Sequence, residues 1–226
     1  MTTYMRDEGL AVQLEAGVGV KIETSGAYIG HFSLARERVA GTGTKGIEFV
    51  FETDEGQVAR NLSLWLTRAT GERIEYFHGL LSALMVCLGL KQVDTSAATV
   101  ELWDRDQGGR VATQVEVFAA LMNKPVGVVL QREVREWEGQ LQVSMKLIEF
   151  FDPSDRSTAT EILNGSRSGK ALDRVLQNLK DRVATPAVPR DDFQSPPLGA
   201  SAPVRAVAPS AASLPDVSFD DGDIPF

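Results

Sequence analysis

The sequence predicts a mainly β (α+β) body, a small five-stranded barrel with one or more added helices, followed by a disordered C-terminal tail. Three observations lead there. Short segments with period-two alternation are joined by glycine-rich turns. A long apolar run without alternation then breaks the series. Two further alternating segments follow, linked by a hairpin turn.

The first strand is expected over 27–35, where Tyr28, Gly30, Phe32 and Leu34 share one side. Gly41-Thr42-Gly43-Thr44-Lys45-Gly46 is a turn. It lacks the full spacing and the following helix of a phosphate loop. In the second strand Ile47, Phe49 and Phe51 alternate with Glu48, Val50 and Glu52. The three apolar side chains are assigned to the core. Asp54-Glu55-Gly56-Gln57 turns the chain into a third strand, where Leu62, Leu64 and Leu66 alternate with Asn61, Ser63, Trp65 and Thr67.

Residues 76–90 read as a buried helix with Leu80, Leu84, Cys87 and Leu88 on one stripe. Residues 99–103 form a short strand, and 115–123 a short helix stopped before Pro125. Residues 126–136 and 141–151 pair through Trp137-Glu138-Gly139-Gln140. An amphipathic helix over 170–183 carries Leu172, Val175, Leu176 and Leu179 on one face. Three meander strands, a helix and a two-stranded hairpin give the element order of an OB-fold, whose sheet face and loops bind oligonucleotides.

Composition narrows the function. Hydrophobic content is 43%, enough for a core, and Cys87 is the only cysteine. That excludes an intrachain disulfide and fits a reducing cytoplasm. Residues 1–13 lack the apolar core of a secretory signal, and no run is long enough to cross a bilayer. His31 and His78 have no metal-ligand partner at helical or loop spacing. Cys87 inside the apolar run reads as a structural thiol. Glu101, Asp104 and Asp106 beside Gly108-Gly109 read as a solvated turn. We therefore expect no enzyme, no metal and no cofactor. The net charge of −8 runs against a simple nucleic-acid binder. From Val183 onward six acidic residues face two basic ones, so about half of that charge belongs to the tail.

The body spans residues 1–183. Residues 184–214 are rich in Pro, Ala, Ser and Val and lack periodicity, as in a disordered, extended linker. Residues 215–226 form an acidic tip. In it Phe219, Asp220, Asp221 and Asp223 precede Ile224-Pro225-Phe226. Pro225 keeps the tip extended. An acidic extended peptide with a final aromatic ring suits a basic-rimmed apolar pocket on a partner.

Tip, linker and OB-like body together resemble the single-stranded-DNA-binding proteins of bacteria and phages. The match is imperfect, because Gly222 interrupts the acidic run. The insert over 91–125 and the helix near 170–183 make the body longer than the housekeeping bacterial type. Gly26-Ala27-Tyr28, Gly46-Ile47-Glu48-Phe49 and Leu64-Trp65-Leu66 resemble the phage-encoded proteins of replication and recombination modules. The resemblance implies sequence-independent binding of single-stranded DNA and recruitment of replication, recombination and repair proteins by the tip. A homo-oligomer is compatible with it. An adapter that uses the tail without DNA affinity of its own is the alternative, kept open by the acidic body.

Binding single strands takes aromatic platforms and cations along the backbone. Trp65 is the first candidate, flanked by Arg60 and Arg68, with packing under the helix or another strand as the other reading. Trp137 at the hairpin tip lies near Arg132 and Arg135, as a DNA clamp or a cross-strand staple. Tyr28 and Phe32 are candidates for stacking or for the core, with Arg36 and Arg38 beyond them and Lys45 on the glycine-rich turn.

Overall fold

Period-two alternation does make strands of the first third of the chain, and they run longer than the sequence predicts. The structure is a computed structural model and describes residues 19–104, 108–137 and 140–184. The linker beyond Ala184 and the acidic tip Phe219, Asp220, Asp221, Asp223, Ile224, Pro225 and Phe226 lie outside the described residues. After a short strand β1 (Val20–Lys21) come β2 (Gly26–Val39), β3 (Lys45–Thr53) and β4 (Gln57–Thr67), paired antiparallel as a meander. Helix α1 (Glu75–Cys87) follows. Strands β5 (Ser96–Asp104) and β6 (Gly109–Val117) form a hairpin, and β7 (Val126–Trp137) and β8 (Gln140–Phe151) form another. Two short helices, α2 (Ala159–Leu163) and α3 (Lys170–Asn178), lead to β9 (Arg182–Ala184).

This is a mixed α and β fold on one multi-stranded, partly curled sheet. Strand β2 is its hinge line. Its first half, Gly26–Gly30, pairs with β7, while its second half pairs with β3 and, at Arg36, with β6. The curl brings β4 and β8 within 8 Å, Cα to Cα, although they share no ladder. The sheet has nine strands among the described residues, so five strands do not account for the body. The excess comes from the insert, which folds as the β5–β6 hairpin, and from the edge strands β1 and β9.

Bulges set which side chains face inward. Ser33 is the extra residue between the pairs Phe32–Phe51 and Leu34–Val50. Arg60 and Asn61 stand opposite Val50, and Asn61 takes φ 57°. Asn tolerates that left-handed geometry better than most residues. An extra residue flips the pleat. Phe32 therefore faces inward before the β2 bulge, and Ala35 does so after it.

The core gathers Phe32, Phe49, Phe51 and Phe150, all fully buried. The Phe32 ring centroid lies 4.6 Å from Phe49, 5.6 Å from Phe51 and 6.3 Å from Phe150. Each such burial contributes roughly 1.5–3 kcal/mol. Leu80 and Leu84 of α1 close the core, as their stripe predicts, whereas Cys87 is half-buried. A smaller cluster on the other side of the sheet joins Val129, Phe151 and Leu172, with Val175, Leu176 and Leu179 packed on it. Gly127 is needed there, because a Cβ would run into the Phe151 ring.

Two predicted helices are corrected. Residues 115–117 end β6, and only Ala119–Leu121 make a 3-10 turn. The apolar spacing of Phe118, Leu121 and Met122 imitates a helix, but these residues pack on the core from a turn. The helix begun at Lys170 stops at Asn178. Leu179 is extended (ψ 123°), and the chain joins β7 in parallel as β9.

Candidate nucleic-acid interface

The outer face of β2–β3–β4 brings three of the predicted residues together, Arg36, Arg38 and Trp65. Two cross-strand rows define it. Arg36 pairs with Glu48, which pairs with Ser63. One step along, Arg38 pairs with Gly46, which pairs with Trp65. Lys45 begins β3, exposed, between Val39 and Thr67, but its neighbour Gly46 is the residue on this face, so alternation puts Lys45 on the opposite one. Gly46 permits the close approach of β3 to β4, since a Cβ there would meet the Leu64 carbonyl.

Glu48 lies at the base of the face, 4% exposed. Arg36 donates to its Oε1 from Nε at 3.0 Å and from Nη2 at 2.6 Å. Arg38 donates from Nη1 to the other carboxylate oxygen, Oε2. The carboxylate is thus satisfied by two guanidinium groups, which offsets the cost of its burial. The Arg38 guanidinium also sits over the Trp65 ring, 5.8 Å from the centroid. This is cation–π range.

Trp65 faces away from Leu62 and Leu64, as alternation predicts, but it is only 6% exposed. It is not an open platform. Phe32 is corrected outright: it is a core residue, with no surface for a base. Tyr28 lies half-buried against the core, and its hydroxyl donates to the Thr24 carbonyl at 2.8 Å.

The remaining arginines lie apart from this face. Arg60 is exposed at the β4 bulge. Arg68 lies 3.7 Å from Glu72 just past β4. Arg132 donates from Nη1 to Asp181 Oδ2 at 3.1 Å, and its backbone N–H donates to Ser25 Oγ. The Ser25 hydroxyl, then Arg132, hold the Asp181 carboxyl below its ordinary range. Arg135 is half-exposed on β7 between Gln142 and Ala184. Trp137 ends β7 opposite Gln140, and its side chain lies outside the described part of the structure.

Two residues of interest were not singled out by sequence reasoning. Trp103 on β5 is 70% exposed and stands across the ladder from the exposed Arg110 of β6. Its signal was the alternation of Thr99, Glu101 and Trp103 with Ala98, Val100 and Leu102. Glu48 gave no signal, because an acid on an outward strand position reads as solvated.

Among the described residues no group of His, Cys, Asp and Glu is arranged to hold a metal, and no helix is long and apolar enough to cross a membrane. Cys87 is pushed up to about 12, first by burial and then by the charge of Glu149. Neither a family model nor a curated protein matches this chain.

Proposed function

We propose that this protein binds single-stranded DNA without sequence preference, in replication and recombination of the phage type, and recruits partner proteins through Phe219–Phe226. The observation that carries the reading is the pairing of Arg36 and Arg38 on one outer sheet face beside Trp65. Cations spaced along a sheet suit a backbone that is held everywhere and read nowhere. Trp103 and Arg110 give a second, open aromatic–cation pair on the β5–β6 ribbon.

We further read β2, β3, β4, β7 and β8, with α1 between the meander and the hairpin, as an OB-type barrel enlarged by additions. Pairing of β2 with both β3 and β7, and the approach of β4 to β8, support this. Such a barrel presents its sheet face and loops to an oligonucleotide.

The burial of Glu48 between the two arginines favours one other reading, a recombination or replication adapter with no DNA affinity of its own. Two guanidinium charges there already face one carboxylate. Titration of a fluorescent oligonucleotide separates the two. Saturable binding, weaker for duplex than for single strand, supports the first reading, and no binding at low salt supports the second.

A further inference from the structure

Glu48 stands where a DNA-binding face ordinarily excludes an acid. Glu48 is 4% exposed, and its two arginine partners have side chains that are 23% and 33% exposed. Both oxygens are used. Oε1 takes the Nε and Nη2 edge of Arg36, and Oε2 takes Nη1 of Arg38. This leaves Nη1 of Arg36, and the whole Nε–Nη2 edge of Arg38, without an acceptor among the described residues. The Arg38 plane is fixed from a second side by the Trp65 ring. Arg36 and Arg38 sit two residues apart on one strand, and Glu48 lies directly across from Arg36. One buried carboxylate therefore sets the direction of two guanidinium forks at once.

We infer that Glu48 is a positioning residue. It holds Arg36 and Arg38 as a paired seat for one phosphodiester group of the bound strand. The inference rests on the single-stranded-DNA reading above. A guanidinium fork recognises a phosphate through two parallel N–H donors, and a fork already oriented loses less freedom on binding than a mobile one. The carboxylate lies behind the forks, so the phosphate meets guanidinium edges and not the acid.

Oriented forks and simple charge counting differ in sign at Glu48. Glu48→Gln removes a negative charge from the face, and charge counting predicts tighter DNA binding. Loss of the oriented forks predicts binding weaker by on the order of tenfold, the scale of one charge-assisted contact. The experiment titrates a labelled oligo-dT with the full chain, as wild type, Glu48→Gln, Arg38→Lys, Arg36→Ala/Arg38→Ala and the triple variant. Thermal melting of each runs alongside.

Weaker binding by folded Glu48→Gln, with no further loss when Glu48→Gln is added to the double-alanine variant, is the expected result. It ties the effect to the arginines. Arg38→Lys keeps the charge and the fold but not the fork, so it is expected to lose affinity on the same order. This arm decides the matter if Glu48→Gln does not fold. Equal or tighter binding by folded Glu48→Gln, or wild-type affinity in Arg38→Lys, overturns the inference. A wild-type protein that binds no oligonucleotide overturns the proposed function itself, and the seat with it.

Discussion

The guanidinium carbon of Arg38 lies 5.8 Å from the centroid of the Trp65 ring. The contact joins the one buried tryptophan among the described residues to the ion cluster around Glu48. It makes Trp65 part of the scaffold beneath a charged surface. Trp65→Ala is therefore expected to lower stability by roughly 3–5 kcal/mol, the cost of emptying a large buried aromatic site. Arg38→Ala loses the cation–π contact, about 0.5–1 kcal/mol, and also leaves the buried Glu48 Oε2 without its donor, so its cost should exceed that of the ring contact alone. It should also expose the Trp65 ring to acrylamide quenching. Urea unfolding with fluorescence detection measures both.

Phe32 and Trp103 form a contrasting pair. Phe32 lies at the centre of the aromatic core and Trp103 is 70% exposed on a ribbon. Phe32→Ala should cost roughly 3–5 kcal/mol of stability. Trp103→Ala should leave stability within about 0.5 kcal/mol of wild type. If Trp103 stacks on a base, the same change should weaken oligonucleotide binding by roughly 1–3 kcal/mol. A melt and a titration on each variant separate the two roles, and unchanged DNA binding in Trp103→Ala removes the ribbon from the interface.

Glu149 carries a pH signature. Burial pushes its carboxyl above the ordinary range, and Tyr76 and Cys87 of α1 are raised first by their own burial and then by the charge of Glu149. The folded state thus holds this proton to higher pH than the unfolded state does. Its contribution to stability is full below the unfolded value, about 4.3, and is lost as pH rises through the raised folded value. Glu149→Gln keeps an acceptor for the Phe150 N–H, a 3.0 Å bond in the native protein. It should be more stable than wild type at pH 7, and the difference should close below about pH 4. Asp152, Asp155 and Glu161 act with the opposite sign. Their carboxyls are held low, chiefly by Ser154, Ser157 and Ser168 in turn, so their contribution is lost as pH falls. They are common to both proteins and cancel in the comparison. A constant difference across pH 4–8 would contradict the role given to Glu149.

The acidic tip makes a separate prediction. Deleting Phe219–Phe226 should abolish partner recruitment and leave DNA binding unchanged or tighter. Asp220, Asp221 and Asp223 compete with phosphate for the body's cations, at an effective concentration on the order of mM for a short flexible tether and less for a longer one. The competition should be greatest at low salt. Phe226→Ala should lose partners with little change in DNA affinity, since apolar contact fills a pocket while charges steer the approach. Pull-downs with wild-type, Phe226→Ala and deleted protein check this. Identical partner sets in all three would rule the tip out.

The sequence was most readable where neighbouring strands impose one periodicity. Ile47, Phe49 and Phe51 alternate because β3 is paired on both sides and turns one face to the aromatic core. The β7–β8 hairpin was legible from its two apolar runs, although Val128 and Val129 bury on opposite sides of the sheet. The β5–β6 hairpin was half-read, since a two-stranded ribbon buries little and so selects a weak pattern. Phe32 and Arg36 looked like one continuous face, and the bulge at Ser33 puts them on opposite sides. Local sequence does not announce that bulge. The burial of Glu48 was illegible, because it depends on two arginines from the adjacent strand. Trp65 was placed on the correct face, but its covering by Arg38 is a tertiary fact.

The central claim is that the Arg36–Arg38 face binds single-stranded DNA. Anisotropy of a labelled oligo-dT, titrated with wild type and with Arg36→Ala/Arg38→Ala over a series of salt concentrations, tests it most directly. The account predicts saturable wild-type binding whose log–log salt slope is about −0.7 per phosphate contact. It predicts a shallower slope and weaker binding in the double variant, with duplex DNA bound less well than the single strand. Equal affinity and slope in the two proteins, or tighter binding to duplex, would contradict it.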